Sequence, residues 1–315
     1  MSSEKEGRTS LVIGTRGSQL AIWQAKWVQT QLQELAPHLS IRLERIQTSG
    51  DKILDVPLAK IGGKALFVKE IEEALLREDI DLAVHSMKDV PSVLPEGLVI
   101  HCVPQREDSR DALLSRDGLL FRDLPTLAKV GTSSLRRQAQ FLAKRPDFTI
   151  KMLRGNLDTR VRKLREGQFD AIVLAASGLK RLGWDDQISE CLPTEVSLPA
   201  VGQGALGIEG REEDTFIQNL LAPLNDPVSC SAVSAERAFL ARLEGGCQVP
   251  IAGHAIVHGP ELTLNGLVAS IDGKQIIRDE IRGSVDQAES LGVALAERLL
   301  GAGGDKILQD IYGRA

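Results

Sequence analysis

The feature that most narrows the fold is a three-step unit that recurs over the first two thirds of the chain: a short apolar run, a tight polar turn, then apolar residues at helical spacing. Leu11-Val12-Ile13 runs into Gly14-Thr15-Arg16-Gly17-Ser18, after which Leu20, Trp23, Trp27, Val28, Leu32 and Leu35 follow a helical period up to Pro37. Val130-Gly131 leads through Thr132-Ser133-Ser134 into a helix from Leu135, and the run at 149–153 leads through Arg154-Gly155-Asn156 into a helix carrying Val161 and Leu164. Residues 41–46, 80–84, 98–103 and 171–175 read as further strands, and 64–77 as a further helix. Strands alternating with helices of this length predict α/β folding on parallel sheets.

Two segments interrupt the pattern. The polar stretch 105–110 reads as a crossing from one lobe to another, and the proline- and glycine-rich stretch 193–210, with Val201-Gly202-Gln203-Gly204, as the return. The expected division is a discontinuous first lobe at 1–104 and 200–222, and a second lobe at 105–199. From Asn225 the character changes to a helix up to Leu243, strand-like runs at 254–258, 262–268 and 275–281 with Asp272-Gly273 as a hairpin signal, and a closing helix from Asp286. Residues 223–315 are thus expected to form a small α+β domain, and 315 residues suffice for such an arrangement.

With 38 basic and 43 acidic residues the formal charge is -5, and aromatics are only 3%. Neither the charge nor any basic-aromatic run points to nucleic acid or an anionic membrane surface. No apolar run is long enough to span a bilayer, and the polar start with Glu4 and Glu6 is unlike a signal or transit peptide. A cytoplasmic protein is expected. Cys102, Cys191, Cys230 and Cys247 are too far apart in sequence to suggest a disulfide framework or a zinc site, and His254 and His258 lie in a strand-like run, so no metal is expected.

Cys247 stands apart by its setting, Leu243-Glu244-Gly245-Gly246-Cys247-Gln248-Val249-Pro250, just past a helix stop. A helix C-terminus disfavours the thiolate, so this thiol suits a lasting attachment better than rapid turnover; a buried, idle cysteine is the alternative. Three strand-to-helix turns, at 15–18, 132–134 and 154–156, place hydroxyl and amide side chains where helix amides are free. Arg16, Arg136, Arg137, Arg154, Arg160 and Arg181 lie near them, and guanidinium forks suit carboxylates. A single capped turn is ordinary; recurrence at the carboxyl ends of strands points to a cleft between lobes for a polycarboxylate. Phosphate is the competing anion, although neither GxxxxGK[ST] nor a clean GxGxxG is present. Asp89, leaving a buried strand in His85-Ser86-Met87-Lys88-Asp89-Val90-Pro91, is the expected acid-base residue.

Those motifs, with Gly131 to Arg137, Arg154-Gly155-Asn156, Val201 to Gly204 and Glu244 to Pro250, resemble the porphobilinogen deaminase (hydroxymethylbilane synthase) family from about Leu11 to the C-terminus. The resemblance implies two lobes like type II periplasmic binding proteins plus a small cysteine-bearing domain, and a transferase of tetrapyrrole biosynthesis. It implies a dipyrromethane cofactor joined to Cys247 by a thioether. Four porphobilinogen molecules would be added head to tail with loss of ammonia, and the linear tetrapyrrole hydroxymethylbilane released by hydrolysis. By the same resemblance Asp89, Arg16 and Lys88 are catalytic. Ser18, Lys88, Asp89, Thr132, Ser133, Ser134, Arg136, Arg137, Arg154, Gly155 and Arg160 hold the cofactor. Arg16, Ser18, Arg154, Arg160, Arg181 and Gln203 meet the substrate. Lys60, Gly62, Gly63 and Lys64 match a flexible loop over the cleft, and a monomer is expected. A non-covalent two-lobed binder and a cysteine-based acyl or sulfur transferase remain as alternatives; the cysteine-bearing domain and the lack of a signal peptide favour the deaminase.

Overall fold

The computed structural model describes residues 8–52, 67–245 and 249–313, with the side chains of 51 and 52 excepted. Cys247 and the loop residues Lys60, Gly62, Gly63 and Lys64 lie outside the described residues. In chain order the first elements are β1 (Ser10–Thr15), α1 (Gln19–Leu35), β2 (Ser40–Arg45), α2 (Ser49–Lys52), α3 (Lys69–Leu76), β3 (Leu82–Ser86) and β4 (Leu98–Cys102). Next come β5 (Asp111–Ser115), β6 (Lys129–Gly131), α4 (Leu135–Lys144), β7 (Thr149–Lys151), α5 (Leu157–Arg165), β8 (Ala171–Ala175), α6 (Ala176–Arg181) and β9 (Glu190–Cys191). The chain closes with β10 (Leu206–Arg211), α7 (Thr215–Leu221), α8 (Pro227–Arg242), β11 (Ile251–His258), β12 (Glu261–Ala269), β13 (Ile276–Ser284), α9 (Ala288–Leu299) and α10 (Asp305–Tyr312).

Two compact units result. Of the described residues, the first takes 8–52, 67–106 and Ala205 to Cys230; the second takes Glu107 to Gly204, 231–245 and 249–313. In the first unit five strands lie in the order β2-β1-β3-β10-β4. β1 is parallel to β2 and β3, whereas β10 is antiparallel to both β3 and β4. The expectation of parallel sheets therefore fails at β10. That strand is entered from the turn at 201–204 and not through a crossover helix, so it is free to run the other way.

Leu11, Ile13, Val28, Leu32, Leu82, Val84 and Ile208 are buried together on one side of this sheet, and Ile71, Leu75, Ile80 and Ala83 on the other. The buried stripe of α1 is Ala21, Gln24, Ala25, Val28 and Leu32, rotated from the expected one, and Leu35 is exposed. Gln24 belongs inside because its amide donates to the Ser86 hydroxyl at 3.0 Å, which ties α1 to the end of β3.

The second unit repeats the plan with the order β7-β6-β8-β5-β9, in which β6 is parallel to β7 and β8 while β5 is antiparallel to β8 and β9. A three-stranded antiparallel sheet, β11-β12-β13, completes it. This sheet buries Phe239, Leu262, Leu264, Leu295 and Leu299 against α8 and α9. Its other face meets α4: Ala139 and Leu198 share one cluster with Ala252, Leu267 and Ala269. Small residues on both sides let helix and sheet approach closely.

Candidate functional site

Within the first unit, β1 and β3 end side by side, and the turns that follow them bring Arg16, Ser18 and Asp89 to one cavity. Ser18 caps α1, its Oγ accepting from the amide of Ala21 at 3.2 Å, so Arg16 and Gly17 form the short bridge from strand to helix. Beyond β3 the backbone tightens into a single 3-10 turn over Met87–Asp89. Met87 is buried and anchors that turn, while Lys88 and Asp89 stay half-buried at its rim. Arg16 Nη1 stands 4.0 Å from Asp89 Oδ2, and its guanidinium lies over the Phe67 ring at 4.4 Å from the centroid. Arg16, Ser18, Gln24, Phe67, His85 and Asp89 line one cavity. A carboxylate and a stacked guanidinium on a common cavity suit a ligand with both pyrrole N–H groups and carboxylates.

Within the second unit the corresponding turns follow β6 and β7. Thr132 is buried, its Oγ1 accepts from the amide of Ser134 at 3.1 Å, and Ser134 Oγ in turn caps α4 on the amide of Arg137. Ser133 Oγ donates to the carbonyl of Leu153 at 2.8 Å and so joins the first turn to the second. Gly155 has a φ of +110°, and a Cβ there would strike the Thr159 side chain, so no other residue fits this bend easily. Arg160 Nε donates to the Gly155 carbonyl at 2.7 Å, folding its guanidinium back over the start of α5.

Behind these turns sits a charged hub that the sequence reading did not find. Asp111, wholly buried at the start of β5, accepts from Arg136 at 2.7 Å, Arg137 at 2.6 Å, Ser197 at 2.6 Å and Gln203 at 2.9 Å. Arg136 also donates to the Leu198 carbonyl at 2.6 Å and Arg137 to that of Val173 at 2.8 Å. Burial pushes the Asp111 carboxyl up, but the two guanidinium groups outweigh it and hold it far below the ordinary carboxylate range. Burial pushes Arg137 down, against the pull of Asp111. Arg136, Arg137 and Gln203 are therefore engaged with an internal carboxylate, and two cations on one anion leave the hub a net positive charge. The available signal was Asp111 standing directly before Ala112-Leu113-Leu114, an acid at the mouth of an apolar strand.

Two further arginines, Arg154 and Arg181, are partly desolvated. Burial pushes the Arg154 guanidinium below its ordinary value. It pushes Arg181 down to about 10, Glu107 acting in the opposite sense, while Arg181 Nη2 donates to the Gly204 carbonyl at 2.7 Å. Desolvated cations gain when an anion arrives, which is the donor chemistry a cofactor with acetate and propionate arms requires. The residues present fit such a group.

The fold is that of an α/β protein, and each unit sets guanidinium groups and a carboxylate, Asp89 in one and Asp111 in the other, beside capped helix starts at the ends of strands, which suits handling of a polycarboxylate. Residues 11–219 match the family model described as porphobilinogen deaminase, dipyromethane cofactor binding domain, and 230–301 the model of the porphobilinogen deaminase C-terminal domain. The chain belongs to the porphobilinogen deaminase family, transferases also called hydroxymethylbilane synthases, which carry a dipyrromethane cofactor. It is 58% identical over 304 residues to the porphobilinogen deaminase of Geobacter metallireducens, covering 96% of this chain and 95% of that one. With that of Syntrophotalea carbinolica it shares 60% over 300 residues, covering 95% of each. Among solved structures, the VFT2 domain of Bordetella pertussis BvgS is similar at a TM-score of 0.42 and 14% identity, over 68% of this chain and 85% of that one. A Salmonella typhimurium periplasmic binding protein is similar at 0.41 and 15%, over 70% and 93%.

Proposed function

We propose that Asp89 is the acid-base group of the family reaction in this chain and that Cys247 carries the dipyrromethane cofactor on which four porphobilinogen molecules are joined. The observation that carries the reading is the Arg16–Asp89 pair, 4.0 Å apart on one cavity with the guanidinium held over Phe67. Bound, the dipyrromethane supplies the electron-rich pyrrole carbon to which new units add. Porphobilinogen losing ammonia becomes a cationic methylene-pyrrole, and the Asp89 carboxylate stabilises that charge at the ring N–H and accepts protons released by the coupling. Arg16 clamps a carboxylate of the incoming molecule and orients its aminomethyl carbon. Lys88, one residue before Asp89, adds positive charge at the rim.

In the second unit Ser133, Ser134, Arg154 and Arg160 hold acetate and propionate groups together with the helix starts they adjoin. Thr132 and Gly155 shape those turns. Arg181 and Gln203 meet the substrate side, and Arg136 and Arg137 act from the positively charged hub on Asp111. The loop with Lys60, Gly62, Gly63 and Lys64 covers the bound chain. The reading extends to a cytoplasmic monomer of three domains, divided at 1–104 with 200–222, 105–199 and 223–315, that takes porphobilinogen and no nucleic acid; the formal charge of -5 supports the last point.

The test is intact mass after expression in a porphobilinogen-making host, beside Cys247→Ala and Asp89→Asn. The expected result is an increment of two linked pyrrole units on wild type and Asp89→Asn, none on Cys247→Ala, and turnover lost in both variants. An adduct retained by Cys247→Ala would remove that residue from its role, and full turnover in Asp89→Asn would remove Asp89.

A further inference from the structure

Behind the cavity that holds Arg16 and Asp89 lies a buried group of three ionisable side chains that the reaction as described does not use. In the antiparallel pairing of β3 with β10, Gly207 stands opposite His85 and Glu209 opposite Ala83. His85 and Ala83 share one face of the strand, so the Glu209 side chain reaches diagonally past the glycine to the imidazole. His85 Nε2 and Glu209 Oε2 are 2.8 Å apart, with both side chains buried. A carboxylate acceptor at that distance puts the ring proton on Nε2.

Glu72 of α3 comes from the helix face that also carries the fully buried Ile71 and Leu75, and is itself buried. Among the described residues, Oε1 of Glu72 and Oε1 of Glu209 have no hydrogen-bond partner. Burial and the neighbouring Glu209 push the Glu72 carboxyl up to about 7, with His85 opposing. The other charged groups on elements packed against α3 are turned to other work. Arg211 of β10 donates to the carbonyls of Leu75 and Ile80 and pairs with Asp81 and Asp214, and His101 of β4 bonds the Arg211 carbonyl at 2.9 Å. Arg16, beyond β1, faces the cavity with His85.

We propose that Glu209 and Glu72 are positioning residues for the family reaction: together they keep one negative charge and one proton behind His85, fixing its ring, protonated at Nε2, as a wall of the Arg16–Asp89 cavity. Burial and the neighbouring Glu209 favour the protonated form of Glu72 up to about pH 7. When Glu72 loses that proton, a second negative charge is forced beside Glu209 in a closed space, and the imidazole is drawn toward both. Turnover then falls on the alkaline side for a reason separate from Asp89. The inference rests on the Arg16–Asp89 cavity being the place of reaction.

The experiment compares wild type, Glu72→Gln, Glu209→Gln and Asp89→Asn by kcat and KM between pH 6 and 8.5, together with ring-nitrogen NMR of His85 in each protein. For Glu209→Gln, kcat is expected to fall at least tenfold at every pH while KM moves less than threefold, and the ring to lose its single Nε2–H form. For Glu72→Gln the alkaline limb flattens, so that kcat/KM at pH 8.5 relative to pH 6 rises at least threefold over the wild-type ratio. A wild-type His85 protonated on Nδ1 alone, or a Glu72→Gln pH profile that overlays wild type, overturns the proposal. Should Glu209→Gln fail to fold, the wild-type and Glu72→Gln spectra still decide it. Full turnover in Asp89→Asn would instead discard the reading of the cavity, leaving the His85 spectra to report on Glu209 and Glu72 alone.

Discussion

Replacing Asp111 by Asn keeps the shape of the hub in the second unit and removes its only anion. The carboxylate accepts from both guanidinium groups and from Ser197 and Gln203, with Asp111, Arg136 and Arg137 all deeply buried. An exposed ion pair of this kind is worth little, but breaking a buried one strands charge that water cannot reach, at a cost of about 3–5 kcal/mol. Here two cations are stranded, so the upper part of that range is expected. At an m-value of roughly 2–3 kcal/mol per molar urea the midpoint for the second unit drops by about 1.3–2.5 M.

The pH dependence follows from the same geometry. The folded-state carboxyl of Asp111 is held far below its ordinary range, so its stabilisation is fully present above the unfolded value and is lost only as pH falls through the lower folded value. The advantage of wild type over Asp111→Asn is therefore expected to keep its neutral-pH size at pH 5 and to shrink as pH falls below the unfolded carboxyl value. Urea melts at pH 7, 5 and 3.5 with tryptophan fluorescence and circular dichroism measure this. The double variant Asp111→Asn/Arg136→Met should recover part of the loss, because one stranded cation has gone. A single-variant loss below about 1 kcal/mol, or a double variant whose effects simply add, would refute the claim that buried charges are bound to one another there.

Two further outcomes follow from particular contacts. Gly204 has a φ of +92°, and a Cβ there would strike the carbonyl oxygen of Glu107, so Gly204→Ala is expected to cost about 1–3 kcal/mol in a urea melt and to weaken the Arg181 bond to the Gly204 carbonyl. Arg16→Lys keeps the charge and loses the flat stack on Phe67, a contact worth about 0.5–2 kcal/mol, so kcat/KM for porphobilinogen should fall roughly 2- to 30-fold, with no loss if the stack is idle.

The sequence exposed the parts of the site that depend on local chemistry and hid those that depend on tertiary pairing. Ser18 and Ser134 were legible because a helix start advertises its cap, and both do cap α1 and α4. Asn156, read by the same rule, precedes α5 without a side-chain cap, since the turn is held instead by Gly155 and by Arg160 folding back. Apolar spacing alone places the stripe of α1 on Leu20, Trp23, Trp27 and Leu35, and the true stripe is rotated because Gln24 turns inward to meet Ser86. Asp111 and Glu209 stayed hidden for a related reason. Each is an acid in an apolar strand, which periodicity treats as an error in the pattern, and each is explained only by partners far along the chain: Arg136 and Arg137 for one, His85 for the other.

That contrast bears on how a chain with a formal charge of -5 handles a polyanion. Its arginines do not act as a uniform positive surface. Arg136 and Arg137 are spent in part on an internal carboxylate, which fixes their planes, whereas burial pushes the Arg154 and Arg181 guanidinium groups below their ordinary values. An anion reaching the second unit meets guanidinium groups of two kinds, one set rigid by internal pairing and one set destabilised by burial. The second kind gains most from the ligand, because its desolvation has been incurred on folding and is relieved by the first carboxylate to arrive. Affinity is thereby concentrated on a few groups, and the structure gives each of them a fixed anchor: the Gly204 carbonyl for Arg181, and for Arg154 its own carbonyl pinned by Lys163 at 3.2 Å. Loss of the Gly204 anchor, as in Gly204→Ala, should therefore weaken anion binding without removing a charge.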